Sequence, residues 1–350
     1  MSEPGLAIGG YARRIRLRGA AVIAAALVLC LLVLADLVTG PSGMPLADLN
    51  RAFWAGPGGE DRAAAAILWQ IRMPQTIMAV LVGASLGLAG LVMQTILANP
   101  LASPFTLGFS AAAGFGAAVS ILLGGLTFLP PWVETPIAAF AMTLAAAGLV
   151  YVVARLKGSQ AEVLVLAGIA VLFFFQALQS LVQFMASPEV LQQIVFWLFG
   201  SLLKASWTSV QVSGAILAIC LPFVMRDAWN LTALRLGDAN AASLGLNVDH
   251  MRRRSFLLVA ALTAGAVSFT GTIGFVGLIA PHAARAAVGE DHRFALPVAA
   301  LMGALILVAA SVAGKLISPG AVIPVGVITA IAGIPMLMTV LITLKPTGAR

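Results

Sequence analysis

Long runs of apolar residues, separated by short polar segments, constrain this chain more than any other feature. Residues 19–38, 76–98, 105–128, 133–154, 162–185, 208–225, 256–276, 294–317 and 322–344 are nearly free of charge. A shorter apolar piece, 279–288, contains Pro281, a residue suited to the first turn of a helix. A helix needs about 20 apolar residues to cross a hydrocarbon core of about 30 Å, whereas a barrel strand needs only about ten. The expected fold class is therefore an all-α integral membrane protein with about ten transmembrane helices. Only 9% of the 350 residues are charged and 61% are hydrophobic, against about a quarter charged in soluble domains. The net charge of +7 lies at the ends of the apolar runs, so it reads as orientation in a lipid bilayer and not as nucleic-acid binding. Cys30 and Cys220 fall inside apolar runs and give no disulfide or metal framework.

The positive residues orient the chain. Arg13, Arg14, Arg16 and Arg18 precede the first run. A signal peptide is the competing reading, but the run is long enough to span and no small-residue cleavage site follows it. With a cytoplasmic N-terminus and alternating spans, 15 of the 20 Lys and Arg fall inside. The five outside are Arg51, Arg62, Arg72, Lys204 and Lys315. This bias supports both the orientation and the number of spans. The organisation is then a cytoplasmic tail over residues 1–18, one transmembrane domain over 19–345 and a cytoplasmic tail over 346–350. Residues 40–70, rich in Gly, Pro and charge, form an external segment.

The longest hydrophilic interruption in the second half runs from Arg226 to Arg254. At its centre, Asp238 is placed to cap a short helix, Ala239 to Leu244 favour helix, and Gly245 suits a left-handed terminating turn. Arg252, Arg253 and Arg254 follow and mark the cytoplasmic side. A polar loop of this length with its own helix is more than a connection. A partner pushing on it would move the spans on either side.

Gly90, Pro100, Ala102 and Gly108 recur as Gly271, Pro281, Ala283 and Gly289 at an offset of 181. Five spans separate the copies, so the second is inverted, a common transporter architecture. No catalytic constellation is present. His250, His282 and His292 lack metal-ligand spacing, and there is no P-loop. Intramembrane acids are scarce: Asp36 lies near the end of the first span and Glu162 near the start of the fifth. That scarcity argues against ion coupling. On the fifth span Gln176, Gln179, Ser180 and Gln183 form one helical stripe, which is either helix–helix hydrogen bonding or the wall of a polar path. The last span carries Gly326, Thr329, Ala330 and Gly333 at the same spacing, and the second carries Gly83, Gly87 and Gly90. Both read as close-packing faces.

Six segments together resemble one family: WQIRMPQT (69–76), NPLASP (99–104), LRLGDANAASLGL (234–246), GFVGLIAPHAAR (274–285), GEDHR (289–293) and IPVGVITAIAGIP (323–335). They are similar, in order and spacing, to the permease subunits of bacterial ABC importers for iron–siderophores, haem and cobalamin. The resemblance runs from about Trp69 to the C-terminus. It implies a ten-helix inner-membrane subunit paired with a second permease, identical or paralogous. Two cytoplasmic ATP-binding subunits bind below, and a periplasmic binding protein delivers the ligand from above. ATP and Mg then belong to the partner ATPase, and this chain needs no cofactor or metal.

The resemblance further implies roles for particular residues. Gln176, Gln179, Ser180, Gln183 and Thr329, on the fifth and tenth helices, line the path. Ser159, Gln160, Ala161 and Glu162 form the cytoplasmic gate, although Glu162 is unusual there. Gly237, Asp238, Ala239, Ala242, Leu244 and Gly245 couple to the ATPase. Arg72 and Lys315 dock the binding protein, although Gln75 and Ser311 depart from the family pattern around them. The expected function is a permease without enzymatic activity, importing most often a ferric siderophore, with haem or cobalamin as alternatives. An ion-coupled secondary carrier is the reading from a different class.

Overall fold

The computed structural model describes residues 4–41, 43–124, 130–317 and 322–343, and among them every regular element is a helix. Helix α1 (Pro4–Val38) is followed by α2 (Leu46–Ala55), α3 (Arg62–Ala66), a π-helical turn (Ile67–Arg72) and α4 (Met73–Ile96). Next come α5 (Phe109–Leu123), α6 (Pro131–Lys157), α7 (Ala161–Met185), α8 (Pro188–Leu198) and α9 (Trp207–Arg226). The order closes with α10 (Ala228–Leu234), α11 (Asp238–Ser243), α12 (Val248–Thr270), α13 (Val276–Val288), α14 (His292–Ile317) and α15 (Val325–Thr343). The ten expected spans correspond to α1, α4, α5, α6, α7, α9, α12, α13, α14 and α15. Six of the described helices are long and apolar enough to cross a membrane; α5, α13 and α15 are shorter apolar helices. Helix α12 carries the three arginines in its own first turns, where an apolar span from 256 was expected. The expected N-terminal tail is helical from Pro4 and continuous with the first span. The proposed C-terminal tail, 346–350, lies outside the described residues.

Helix α4 is the axis of the subunit. It packs on α14, α12, α13 and α9, and all its residues from Ser85 to Ile96 are buried. The glycine face expected for packing does pack. There is no room for a Cβ at Gly83 or Gly87, which meet the backbone of Gly303 and Ala299 on α14, nor at Gly90, which meets Gly277 on α13. At the head of α4 the Met73 amide donates to the Leu68 carbonyl, five residues back. In that register Pro74, which has no N–H, leaves the Trp69 carbonyl free. The indole of Trp207 donates to it at 2.9 Å.

The repeat is one of elements rather than of the residues paired by the 181 offset. Helix α4 packs on α14 as α12 packs on α6; α5 contacts α6 and α7 as α13 contacts α14 and α15. Gly90, however, is inside α4 while Gly271 ends α12, and Pro100 is in a turn while Pro281 is inside α13. Pro281 therefore does not start its helix. The segments before the two short helices, 97–108 and 271–275, are not helical, and residues from both line one small cavity. Irregular backbone at that depth is tolerated because protein covers it. The third span was expected from residue 105. Ser103 and Thr106 instead form a mutually hydrogen-bonded turn, and Gly108 is left-handed at φ +83, so α5 starts at Phe109.

Candidate functional site

Helix α11 lies on the surface at one end of the molecule, with Gly237, Asp238, Ala239, Ala242, Leu244 and Gly245 all exposed. Its end is built as expected. Gly245 is left-handed at φ +85, its amide donates to the Ala242 carbonyl, and the Leu246 amide reaches back to Ala241. Leu236 and Leu244, 61% and 64% exposed, put apolar surface beside the helix. The expected cap is wrong. Gly237 takes the N-cap position and no side chain caps the helix, so Asp238 is the first helical residue.

The Asp238 carboxylate is engaged elsewhere. Its Oδ2 accepts from Nη1 of Arg252 at 2.7 Å and its Oδ1 from Nη2 at 2.8 Å. Arg252 is only 3% exposed. Its Nε donates to the Ile96 carbonyl at 2.8 Å and Nη1 to the Ser159 carbonyl at 3.4 Å. Ile96 is the last residue of α4, and its carbonyl is one that the helix leaves without an intrahelical donor. One guanidinium thus fastens α11, the C-terminal end of α4 and the turn between α6 and α7. That turn holds Ser159 and Gln160, and Ala161 and Glu162 open α7; these are the four residues expected to form the gate. Ser159 is fully buried, Gln160 and Glu162 are exposed, and Ala161 is half-buried. The residues expected at the gate and those expected to couple, read separately in the sequence, meet at Arg252, which sequence reasoning counted only as a topological marker.

The same end holds a second lattice. Arg285 on α13 donates to Gln94 Oε1 of α4 and lies 3.8 Å from Glu290, which also pairs with Arg235 at 2.9 Å. The His292 ring bridges Thr95 at 2.7 Å and Thr232 at 3.4 Å. The GEDHR segment therefore clamps α10, α13 and α14 to the end of α4. Arg293 pairs with Asp291 at 2.7 Å and lies over the Trp229 ring at 4.1 Å.

At the opposite end the structure corrects the expected docking residues. Arg72 and Lys315 are 3% and 7% exposed, so neither presents its charge to a partner. Lys315 Nζ lies 2.8 Å from Oδ1 of the fully buried Asp36 and donates to the Asp36 carbonyl at 3.0 Å. Thr76 donates to the other carboxylate oxygen, and Arg72 Nη1 donates to the carbonyls of Leu37 and Val38 at 2.7 and 2.8 Å. These groups close the C-terminal ends of α1 and α14 against the start of α4. A buried charge needs such partners, and Asp36 was noticed in the sequence only as a scarce intramembrane acid.

On α7 the glutamine stripe is partly open. Gln176 and Ser180 are exposed, while Gln179 and Gln183 are half-buried. Gln179 fills the space where Gly114 of α5 lacks a side chain. The stripe is therefore split between packing and free surface. Around it Phe173, Phe184 and Leu181 leave a broad apolar face bare. Thr329 on α15 is buried and donates to its own helix at the Gly326 carbonyl, 3.0 Å away, so it does not share that surface within this subunit. The small-residue face of α15 packs: Gly326 lies against Phe199 and Thr272, and Gly333 against the Phe275 ring.

Residues 27–343 match the model of the FecCD transport family. The Fe(3+) dicitrate transport system permease protein FecD of Escherichia coli K12 is 36% identical over 281 residues, covering 80% of this chain and 86% of its own length. The cobalamin import system permease protein BtuC of Halobacterium salinarum is 35% identical over 302 residues, covering 85% of this chain and 80% of its own length. A solved inward-facing structure, assigned to the metal-chelate type of ABC transporter, superposes with a TM-score of 0.81 at 27% identity. It covers 92% of this chain and 99% of its own.

Proposed function

This chain belongs to the FecCD transport family, and on that footing we propose that it is the permease subunit of an ATP-driven importer in a bacterial inner membrane. It provides the path by which a metal chelate passes from periplasm to cytoplasm. A ferric siderophore is the leading cargo; haem and cobalamin are the alternatives within the family. The subunit has no enzymatic activity of its own, and ATP and Mg act on partner subunits. Two cytoplasmic ATP-binding subunits seat on the α11 helices of the two permeases, one on each. A second permease copy, identical or paralogous, covers the bare face of α7, and a periplasmic binding protein meets the opposite end. Both termini are cytoplasmic. The arginines at 226, 235, 252–254, 285 and 293 gather at the α11 end, which supports that orientation.

The observation that carries the reading is the Arg252 junction. A surface helix flanked by exposed leucines is tied by one buried guanidinium to the turn closing α6 onto α7. A partner that displaces α11 displaces that turn. The test is to assemble the complex with its ATPase and binding protein in liposomes and measure ATP hydrolysis and uptake. A ferric siderophore, haem and cobalamin are presented in turn. Stimulated hydrolysis with one of them identifies the cargo. Uptake that stops when the proton gradient is dissipated at constant ATP would instead establish an ion-coupled carrier.

A further inference from the structure

A groove lies between α6, α8 and α9, away from the glutamine stripe, with Gln192, Gln193, Phe196 and Trp197 of α8 forming one wall. Its volume is about 1290 Å³, its floor includes Ser268 and Phe269 of α12, and none of Gln176, Gln179, Ser180 or Gln183 lines it. Its outer rim lies toward the end of the molecule opposite α11, where α6 and α9 begin. Glu134, on the first turn of α6, and Lys204, just before α9, stand at that mouth. Deeper in, the walls are Phe140 and Leu144 on α6 and Val212 and Ile216 on α9. From Glu134 to Leu144 the helix rises about 15 Å, at 1.5 Å per residue. That is half of a hydrocarbon core of about 30 Å, the depth of one leaflet. Among the described residues neither Glu134 nor Lys204 has an ion-pair partner, so the mouth offers one anion and one cation, both free.

We propose that this groove is a binding site for a single phospholipid with a primary-amine headgroup, drawn from the leaflet on that side. Lys204 receives the phosphate, Glu134 accepts N–H bonds from the ammonium, and an acyl chain lies along Phe140, Leu144, Val212 and Ile216. Lys204 alone would accept the phosphate of any phospholipid. Glu134 supplies the selectivity, because a quaternary choline has no N–H to donate and an anionic headgroup is repelled. A spanning helix from another protein fits poorly, since the groove is one leaflet deep and such a helix needs two. The site rests on the chain being a membrane protein, and its test does not depend on which cargo is transported.

The experiment is native mass spectrometry of the purified complex. It is stripped of lipid in detergent and then supplied with dioleoyl phosphatidylethanolamine, dioleoyl phosphatidylcholine or dioleoyl phosphatidylglycerol. One retained phosphatidylethanolamine per permease chain is expected, with less of the other two. Ala141→Trp, which fills the groove where α6 is exposed, should abolish that adduct. Val212→Trp, placed on the opposite wall, should do the same if the first variant does not assemble. Glu134→Gln should cut the preference for phosphatidylethanolamine over phosphatidylcholine by about fivefold, which is about 1 kcal/mol at 1.4 kcal/mol per tenfold. The proposal is overturned if wild type retains no lipid or shows no headgroup preference. It also fails if an assembled groove-filled variant keeps the adduct, or if a co-purifying polypeptide occupies the groove instead.

Discussion

Asp238→Ala removes one side of the Arg252 junction and leaves the rest in place. The lost interaction is a two-point pair at 2.7 and 2.8 Å between a guanidinium 4% exposed and a carboxylate 53% exposed. A charge-assisted bond in a buried setting contributes about 1.5–3 kcal/mol, and an exposed ion pair about 0.2–1 kcal/mol. With one partner buried and the other half in water, about 1–2 kcal/mol is the appropriate range. Because Arg252 keeps its bonds to Ile96 and Ser159, the loss falls on the docking of α11 and not on the whole fold. Local opening of α11 should then rise roughly tenfold, since 1.4 kcal/mol is a factor of ten. The assay is hydrogen exchange of the amides of Ala241 and Leu244–Leu246 in the assembled complex. Arg252→Lys is the comparison. A lysine keeps the charge but cannot reach Ile96, Ser159 and Asp238 together, so it leaves buried acceptors bare and costs about 2–4 kcal/mol of global stability. The double variant should lose less than the sum of the two. Unchanged exchange in Asp238→Ala, or strictly additive losses, would refute the claim that this guanidinium joins the surface helix to the gate turn.

Lys315→Met should destabilise the subunit by about 3–5 kcal/mol in detergent unfolding, because it strips Asp36 of a buried partner. Adding Asp36→Leu should recover much of that loss, and no recovery would contradict the pairing. Gly303→Ala should prevent assembly or lower the melting temperature sharply, since its Cβ would overlap the Gly83 backbone. Gly148→Ala, in open space on α6, should be neutral or stabilising by up to about 1 kcal/mol. In a Cys30→Ser background, cysteines at Gln176 and Ser180 should react with a water-soluble thiol reagent in the assembled transporter, while those at Phe175 and Val182, buried on the same helix, should not. Equal inertness at all four positions would make the stripe a packing face.

Apolarity alone made nearly every long helix readable, because a run that must cross lipid is written in consecutive residues. Helix α8 was missed: its 11 residues include Glu189, Gln192 and Gln193, too short and too polar to resemble a span. Gly245 was legible because its left-handed turn is a local event. Asp238 was misread by one position, since Gly237 with φ +94 and ψ 158 took the cap. Arg72 and Lys315 show a different limit. A basic residue at a span's end indicates a side of the membrane and says nothing about whether the side chain turns outward. Lys315 is buried against Asp36, 279 residues before it in the chain, and Arg72 against the carbonyls of Leu37 and Val38. Arg252 likewise meets Ile96 and Ser159 across 156 and 93 residues. Such pairings leave no mark in a local pattern.

The seam between α4 and α14 has a mechanical consequence. Gly83, Gly87 and Gly303 bring two backbones together with no side chains between them. A displacement at an ordinary interface is absorbed by side chains changing rotamer; at these three positions there are none to change, so the seam is stiffest there. At one end this strut holds Arg252 through the Ile96 carbonyl, and at the other it meets Asp36 through Thr76. A tilt imposed on α11 through Arg252 is therefore carried along α4 rather than absorbed at this seam. The flexing must then occur at the margins of the subunit, where α7 has few neighbours and its face is still uncovered.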